Sequence, residues 1–276
     1  MIRRGLYESR YVDESIMKRV KKIQIMNQKK KGKVIGVILT YNCARLVADI
    51  VSRIPKGALD VLIIVDDGSR DNIKDVAKQL GVPFFTHAHL GYGGNMTFGL
   101  SQAHAMGASY VVEIHGDGQY DPTIIPEAYK KSVAGSYDLL LGTRFNTIFE
   151  PLRLGMPRVR YVANIALSFI ERIVLGIPVS EFHSGFRIYS RQFIEIVNLS
   201  TASKSHLFSF ESIAQAKYFN LRIGQIPVRC DYRKEHTSIS LRHSTVFALE
   251  TFVVLYEYVL SRWGVRTFAR FIPRMA

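Results

Sequence analysis

From residue 34 onward, short β-branched runs alternate with stretches of helical periodicity, and this order constrains the fold more than any other feature of the chain. The β-branched runs fall at residues 34–40, 61–65, 83–87, 110–114 and 139–142, and the helical stretches lie near 44–54, 72–80, 95–106 and 123–134. That pattern predicts an α/β fold, a mainly parallel sheet with helices on its faces. Each run ends in polar or Gly-rich residues, and the carboxyl ends of parallel strands are where open α/β sheets bind ligands.

Beyond residue 145 the alternation stops. A loop with Pro151 and Pro157 leads to a helical stretch over 159–175. Its polar residues Arg160, Asn164, Ser168 and Glu171 form one narrow stripe on an apolar surface, so the helix is expected to be buried or to touch lipid. A strand at 186–189, a helix at 208–218, a strand over 222–232 and a last helix over 246–260 are expected to follow. The last of these is shorter than the roughly 20 residues that cross a bilayer and carries Glu250 and Glu257. The opening residues, Arg3 and Arg4 with Glu8 and Asp13 soon after, do not read as a signal peptide.

The formal charge of +14 is unevenly placed. Residues 1–33 carry +8 and residues 262–276 carry +4, which leaves +2 for the 228 residues between. A nucleic-acid enzyme would spread its basic residues along the fold among aromatics, so nucleic acid is excluded as a partner. Two basic ends suit anionic lipid headgroups better. Arg262, Arg266, Arg270 and Arg274 recur every four residues, with Trp263, Val265, Phe268, Phe271 and Ile272 between them. As a helix this segment would have a basic face and an apolar aromatic face, the make-up of an interfacial helix. C-terminal amphipathic helices and the basic tails are therefore expected to reach a membrane surface. Cys43 and Cys230 belong to no metal or redox spacing, which makes a reducing compartment the default.

Three strand ends carry chemistry. The second strand ends in Val65-Asp66-Asp67-Gly68-Ser69, two adjacent carboxylates whose repulsion calls for a partner such as a ribose, a base N–H or a metal. The fourth ends in His115-Gly116-Asp117-Gly118-Gln119, a turn able to offer imidazole, carboxylate and amide oxygen to one point. Oxygen ligands on a flexible loop suit Mg²⁺ or Mn²⁺ beside a diphosphate leaving group. Asp121-Pro122, just beyond, reads as a helix start with Asp as N-cap. The fifth is followed by Arg144, whose guanidinium suits a phosphate. Gly91-Tyr92-Gly93-Gly94-Asn95 does not match the dinucleotide fingerprint G-x-G-x-x-G, but a loop of this kind at a helix N-terminus approaches phosphate readily.

In this order the motifs resemble the family-two inverting glycosyltransferases of the GT-A fold, above all the branch of dolichyl-phosphate mannosyltransferases and bacterial polyprenyl-phosphate sugar transferases. The resemblance covers about residues 34–245. It rests on Leu39-Thr40-Tyr41-Asn42, Val65 to Ser69, the Gly91 loop with Gly94, the Asp117 loop, Gly142-Thr143-Arg144-Phe145, Ser184-Gly185-Phe186-Arg187 and Ile226-Pro227-Val228. It implies that Thr40, Tyr41, Asn42, Asp66, Asp67, Gly94 and Asp117 line a UDP- or GDP-sugar site. It also implies that Asp117 and Gln119 hold the metal. His115 stands where the family has its first acid, which would weaken Mg²⁺ and favour Mn²⁺.

The catalytic candidates are Asp117, Arg144 and Glu181, the last as a base if the acceptor is a hydroxyl; an anionic polyprenyl phosphate needs none. His183, beside Glu181, is the other residue considered for that role. Arg158, Arg160, Arg229, Arg233 and Lys234 are candidates for an acceptor phosphate, the last two in a stretch where related enzymes have a mobile basic loop. The chain would then comprise a basic tail (1–33), a nucleotide-sugar half (34–145), an acceptor-side half (146–243) and a C-terminal membrane-surface segment (244–276), peripheral on the cytoplasmic face. A saccharide hydroxyl as acceptor, or a catalytically weak nucleotide-sugar-binding scaffold, are the alternatives. Val259 stands where a processive synthase would need Gln before Arg262-Trp263, so one sugar per acceptor is expected.

Overall fold

The computed structural model describes residues 32–145, 147, 149–230 and 241–274, without the side chains of 241–244. Most of the basic tail, and the loop with Arg233 and Lys234, lie outside the described residues. The first half runs β1 (Lys33–Thr40), α1 (Ala44–Arg53), β2 (Val61–Asp66), α2 (Ile73–Leu80), β3 (Phe84–Thr86), α3 (Tyr92–Ala105), β4 (Ala108–His115), α4 (Ile125–Ala134) and β5 (Leu139–Thr143). The second continues with α5 (Glu150–Arg153), α6 (Arg158–Leu175), β6 (Arg187–Ser190), α7 (Arg191–Ile196), α8 (Phe208–Tyr218), β7 (Ile223–Pro227) and α9 (Leu241–Arg262).

The strands form one seven-stranded sheet in the order β3-β2-β1-β4-β6-β5-β7. β6 is antiparallel to both neighbours, β4 and β5, and the remaining pairs are parallel. β1 is buried along nearly its whole length because helices cover both faces of the sheet, which is why it reads as a continuous apolar run. Its alternate residues feed two cores. Ile35, Val37 and Leu39 join Met96, Leu100, Phe193 and Phe208 on one face, whereas Val34 and Ile38 join Val47, Ile50, Ile73 and Ile125 on the other.

Parallel pairing brings the carboxyl ends of β1, β2, β4 and β5 to one edge. In register, Thr40 lies opposite Asp66 and Leu39 opposite His115. Because β6 runs the other way, it starts at this same edge, with Arg187 opposite Glu113 and Leu141. The Ser184-Gly185-Phe186 turn is thereby delivered beside the Asp117 loop.

The expected α/β architecture is present, with three corrections to its outline. α3 begins at Tyr92 rather than near residue 95, because Gly91 makes the entry turn at φ 86°. Of the strand expected over 222–232, the described residues up to 230 form it only at Ile223–Pro227, and residues 231–232 lie outside the described residues. The four-residue arginine repeat is not an α-helix beyond Arg262, where a 3-10 turn at Ala269–Phe271 holds Arg270. Gly264, at φ 70°, ends α9, and the chain folds back onto the body. There Phe271 is buried against Tyr218 and Tyr258, with ring centroids 4.8 and 6.0 Å away. Arg270 bonds Glu211 and lies 2.6 Å from Glu257, and the Arg274 N–H donates to the Ile196 carbonyl at 3.0 Å. These contacts take Arg270 and Arg274 out of any common basic face.

Candidate active site

The loops after β1 and β2 are stitched together by short polar side chains. The Asn42 N–H donates to Ser69 Oγ at 2.8 Å, and Asn42 Oδ1 accepts from the Arg70 N–H at 2.9 Å. Asn42 holds the left-handed conformation at φ 52°, which asparagine tolerates better than most residues. Asp66 is buried and accepts from Thr40 Oγ1 (3.1 Å), the Ser69 N–H (2.9 Å), the Ser69 hydroxyl and Thr86 Oγ1 (3.2 Å). Asp67, also buried, accepts from the Leu90 and Gly91 N–H groups at 2.7 and 2.9 Å and lies 2.8 Å from His89 Nδ1. The paired carboxylates are thus partnered within the protein and tie the ends of β1, β2 and β3 to the Gly91 loop. Tyr41 projects above them, half exposed, with its ring 4.5 Å from that of His89.

The Gly91 loop enters α3 directly under a second loop. Gly93 donates its N–H to the Lys204 carbonyl at 2.9 Å, and a Cβ at Gly93 would lie 2.1 Å from the Ser203 carbonyl. Close backbone approach, rather than turn freedom, requires glycine there. A Cβ at Gly94 would strike Leu90. Asn95 donates to the Val65 carbonyl at 3.2 Å, tying α3 to the end of β2.

Below the Asp117 loop sits a buried network that sequence reasoning missed. Glu113, fully buried, accepts from Tyr92 OH, from Tyr189 OH at 2.8 Å and from His115 Nε2 at 3.0 Å. Burial opposes ionisation of Glu113, but His115, Arg187 and Tyr92 outweigh it and hold its pKa below the usual carboxylate range. Burial likewise opposes the imidazolium, yet Glu113 raises the His115 pKa above the usual histidine value. Arg187 bonds the Phe182, Ser184 and Ser209 carbonyls, clasping the Ser184–Gly185 turn. The turn rests on the His115 ring so closely that a Cβ at Gly185 would be 2.5 Å from it. The signal available in the sequence was Glu113 itself, a charge within an otherwise apolar strand.

Of the expected metal ligands, His115 directs Nε2 to Glu113 at 3.0 Å. Asp117 is half-buried, and its Oδ1 caps the loop by accepting from the Gln119 N–H at 3.0 Å. Gln119 Oε1 is 4.0 Å from Cys230 Sγ. No cluster of three or more His, Cys, Asp or Glu among the described residues is placed to hold a metal ion. The donor set that remains, one carboxylate and one amide oxygen on a Gly-rich turn, fits a hard ion that takes its other ligands from phosphate and water. Asp121 is the N-cap expected of it, accepting from the Thr123 N–H at 3.1 Å.

Arg144 and Glu181 are brought together as a buried ion pair. Glu181 is fully buried, its Oε2 accepting the Arg144 backbone N–H at 2.6 Å and its Oε1 the guanidinium. The guanidinium also reaches the His183 carbonyl at 3.3 Å. His183 turns its ring to the buried Glu171 of α6, Nε2 to Oε2 3.1 Å, and against Phe247 of α9, ring centroids 5.4 Å apart. Arg158 and Arg160 sit in the first turn of α6, whose Tyr161 ring is 5.7 Å from Phe145, so this helix start borders the end of β5. Arg229 is nearby, its carbonyl accepting from the Asp121 N–H at 3.4 Å.

Solved structures share this architecture. Glucosyl-3-phosphoglycerate synthase from Mycobacterium tuberculosis, in complex with UDP, superposes with a TM-score of 0.62 at 16% identity, covering 100% of this chain and 93% of that one. The same enzyme with Mn²⁺, UDP and glucosyl-3-phosphoglycerate gives 0.61 at 15% identity, over 94% and 87%. Among sequences, the UDP-N-acetylglucosamine–dolichyl-phosphate N-acetylglucosaminyltransferase of Methanococcus voltae is 26% identical over 83% of this chain and 95% of its own length. The polyprenol monophosphomannose synthase of Mycolicibacterium smegmatis is 25% identical over 70% and 75%. The family model for glycosyl transferase family 2 matches residues 37–197, and with the GT-A architecture around it this places the chain in glycosyl transferase family 2 as a glycosyltransferase.

Proposed function

We propose that this glycosyltransferase moves one sugar from a UDP- or GDP-sugar, with inversion, to a polyprenyl phosphate at a membrane surface. The observation that carries the choice of acceptor is the Arg144–Glu181 pair. With Glu181 buried against Arg144 and His183 turned to Glu171, neither residue considered as a base is placed to deprotonate a hydroxyl. A phosphate monoester is already anionic near neutral pH and attacks without one. Its oxygen forms the new bond to the anomeric carbon while the bond to the nucleoside diphosphate breaks, and the diphosphate leaves with the electron pair. The two relatives whose names specify dolichyl phosphate and polyprenol support the same acceptor class.

The donor is read as lying along the strand-end cleft, its nucleoside near Tyr41, Asn42 and the Asp66–Asp67 loop and its diphosphate near Gly94 and Asp117. Asp117, with Gln119, would hold Mg²⁺ or Mn²⁺ against the diphosphate, where the ion supplies charge neutralisation of the leaving group. The free thiols of Cys43 and Cys230 suit a reducing compartment, consistent with a peripheral position on the cytoplasmic face.

The test is a thermal-shift screen of UDP- and GDP-sugars with and without Mn²⁺, followed by mass spectrometry of lipid extracts after incubation with a polyprenyl phosphate. A glycosylated lipid phosphate is expected. Binding without turnover would identify a scaffold, and transfer only to saccharide hydroxyls would overturn the acceptor.

A further inference from the structure

The helix pair α6 and α9 carries an apolar face that nothing among the described residues covers. The two helices pack side by side. Val162, Phe169 and Ile173 of α6 and Leu249, Val253 and Tyr256 of α9 are all more than half exposed. Just past α9, Trp263 and Val265 are about two-thirds exposed. A patch of this extent on a water-soluble surface marks a binding face.

Charge decides what binds there. No acid is exposed on the described parts of either helix. Glu171 is buried beside His183, Glu257 is tied to Arg270, and Glu250 is half-buried. The exposed charges around the face are the cations Arg158, Arg172 and Arg266. A second copy seated face to face would meet this cationic rim with no exposed acid to pair it, since a two-fold interface puts the same patch on both sides. A bilayer with anionic headgroups supplies apolar acyl chains under the helices and negative charge around them. Among the described residues no helix is long and apolar enough to cross a membrane, so α6 and α9 would lie in the interface.

We infer that the α6–α9 face docks the enzyme on an anionic bilayer, with Trp263 at the headgroup level. The inference rests on the lipid-acceptor reading for its purpose, and it names the surface that the C-terminal arginine repeat was expected to provide. The start of α6 borders the end of β5 through Tyr161 and Phe145. Docking this way keeps a polyprenyl chain in the bilayer while its phosphate reaches the strand-end cleft.

Trp263 is the sole tryptophan, so the full chain reports its own docking. Vesicles of phosphatidylcholine with about one-third phosphatidylglycerol should shift Trp263 emission to the blue and sediment the protein. Phosphatidylcholine alone, or 0.5 M NaCl, should weaken binding several-fold, since the electrostatic share is screened. Phe169→Asp with Val253→Asp should weaken it at least tenfold with the melting temperature retained. Transfer to a water-soluble short-chain prenyl phosphate should be unchanged in that variant. Undiminished vesicle binding by the variant would overturn the inference, as would a wild-type dimer that the variant converts to monomer. Failure of transfer to every prenyl phosphate, with vesicle binding intact, would instead strike the acceptor reading and leave the docking face standing.

Discussion

Arg144 closes both its backbone N–H and its guanidinium onto the carboxylate of Glu181, at 2.6 and 2.5 Å, with neither side chain appreciably exposed. Removing one partner of a buried ion pair leaves an uncompensated charge, at a cost of about 3–5 kcal/mol. Glu181→Ala should therefore lower the melting temperature by roughly 10 °C, while transfer per folded molecule stays within about tenfold of wild type. Calorimetry beside single-turnover kinetics checks this. An unchanged melting temperature with transfer lost a thousandfold would restore Glu181 as a base.

Asp117 presents the opposite profile. Its side chain is half-buried and caps only the Gln119 N–H, so Asp117→Ala should leave melting within a few degrees. Transfer and donor hydrolysis should fall by about 10²–10³ or more, the scale for losing one preorganised charge-stabilising group. The Mn²⁺ dependence of nucleotide-sugar binding, read by titration calorimetry, should vanish with it. Retained activity would sink the assignment of this loop.

His115 and Glu113 give a stability that depends on pH. The folded pKa of His115 is raised, so its contribution is complete below the unfolded value of about 6.5 and fades as pH climbs through the folded value. Glu113, with its pKa lowered, contributes above its unfolded value of about 4.3 and fades as pH falls through the folded one. The melting-temperature gap between wild type and His115→Gln should be widest between about pH 5 and 6.5 and narrow toward pH 9. A gap independent of pH would mean that His115 acts by packing alone.

Gly93→Ala should push the 203–205 loop away from α3. The new Cβ would fall 2.1 and 2.8 Å from the Ser203 and Ser205 carbonyls, and backbone yields less easily than a side-chain tip. A loss of about 1–3 kcal/mol is expected, with a raised KM for the donor. Melting and donor titration together would show whether the loop supports the cleft.

Cys43 is the least reactive kind of thiol. Burial raises its pKa to about 11, with further contributions from Asp71, Asp117 and Asp66. At pH 8 only about one molecule in a thousand carries the thiolate. Iodoacetamide followed by peptide mass spectrometry should label Cys43 only after denaturation. Rapid labelling of the native protein would contradict the packing around Gly116, where a Cβ would be 2.7 Å from Cys43 Sγ.

Local rules made much of this protein readable from its residues. The strands were recognisable because a parallel sheet buried on both faces writes continuous apolar runs, as in residues 34–39 and 62–65. Asp121 was recognisable because an N-cap is decided within three residues. The arginine repeat misled for a related reason. Its four-residue spacing satisfies a helix, but Gly264 stops the helix, and buried Glu211 takes Arg270.

What the sequence by itself determined was the sheet, its order of motifs and the edge at which they meet, since those follow from periodicity and from turn residues acting on their neighbours. Only the tertiary structure decided which charges remain for chemistry. Glu181 meets Arg144 across 37 residues, and Tyr189 meets Glu113 across 76. Such pairings are fixed by how β6 inserts antiparallel between β4 and β5. The lipid-facing reading of α6 depends in the same way on α9 packing beside it. Two helices far apart in the chain had to be adjacent before their exposed apolar residues became one surface.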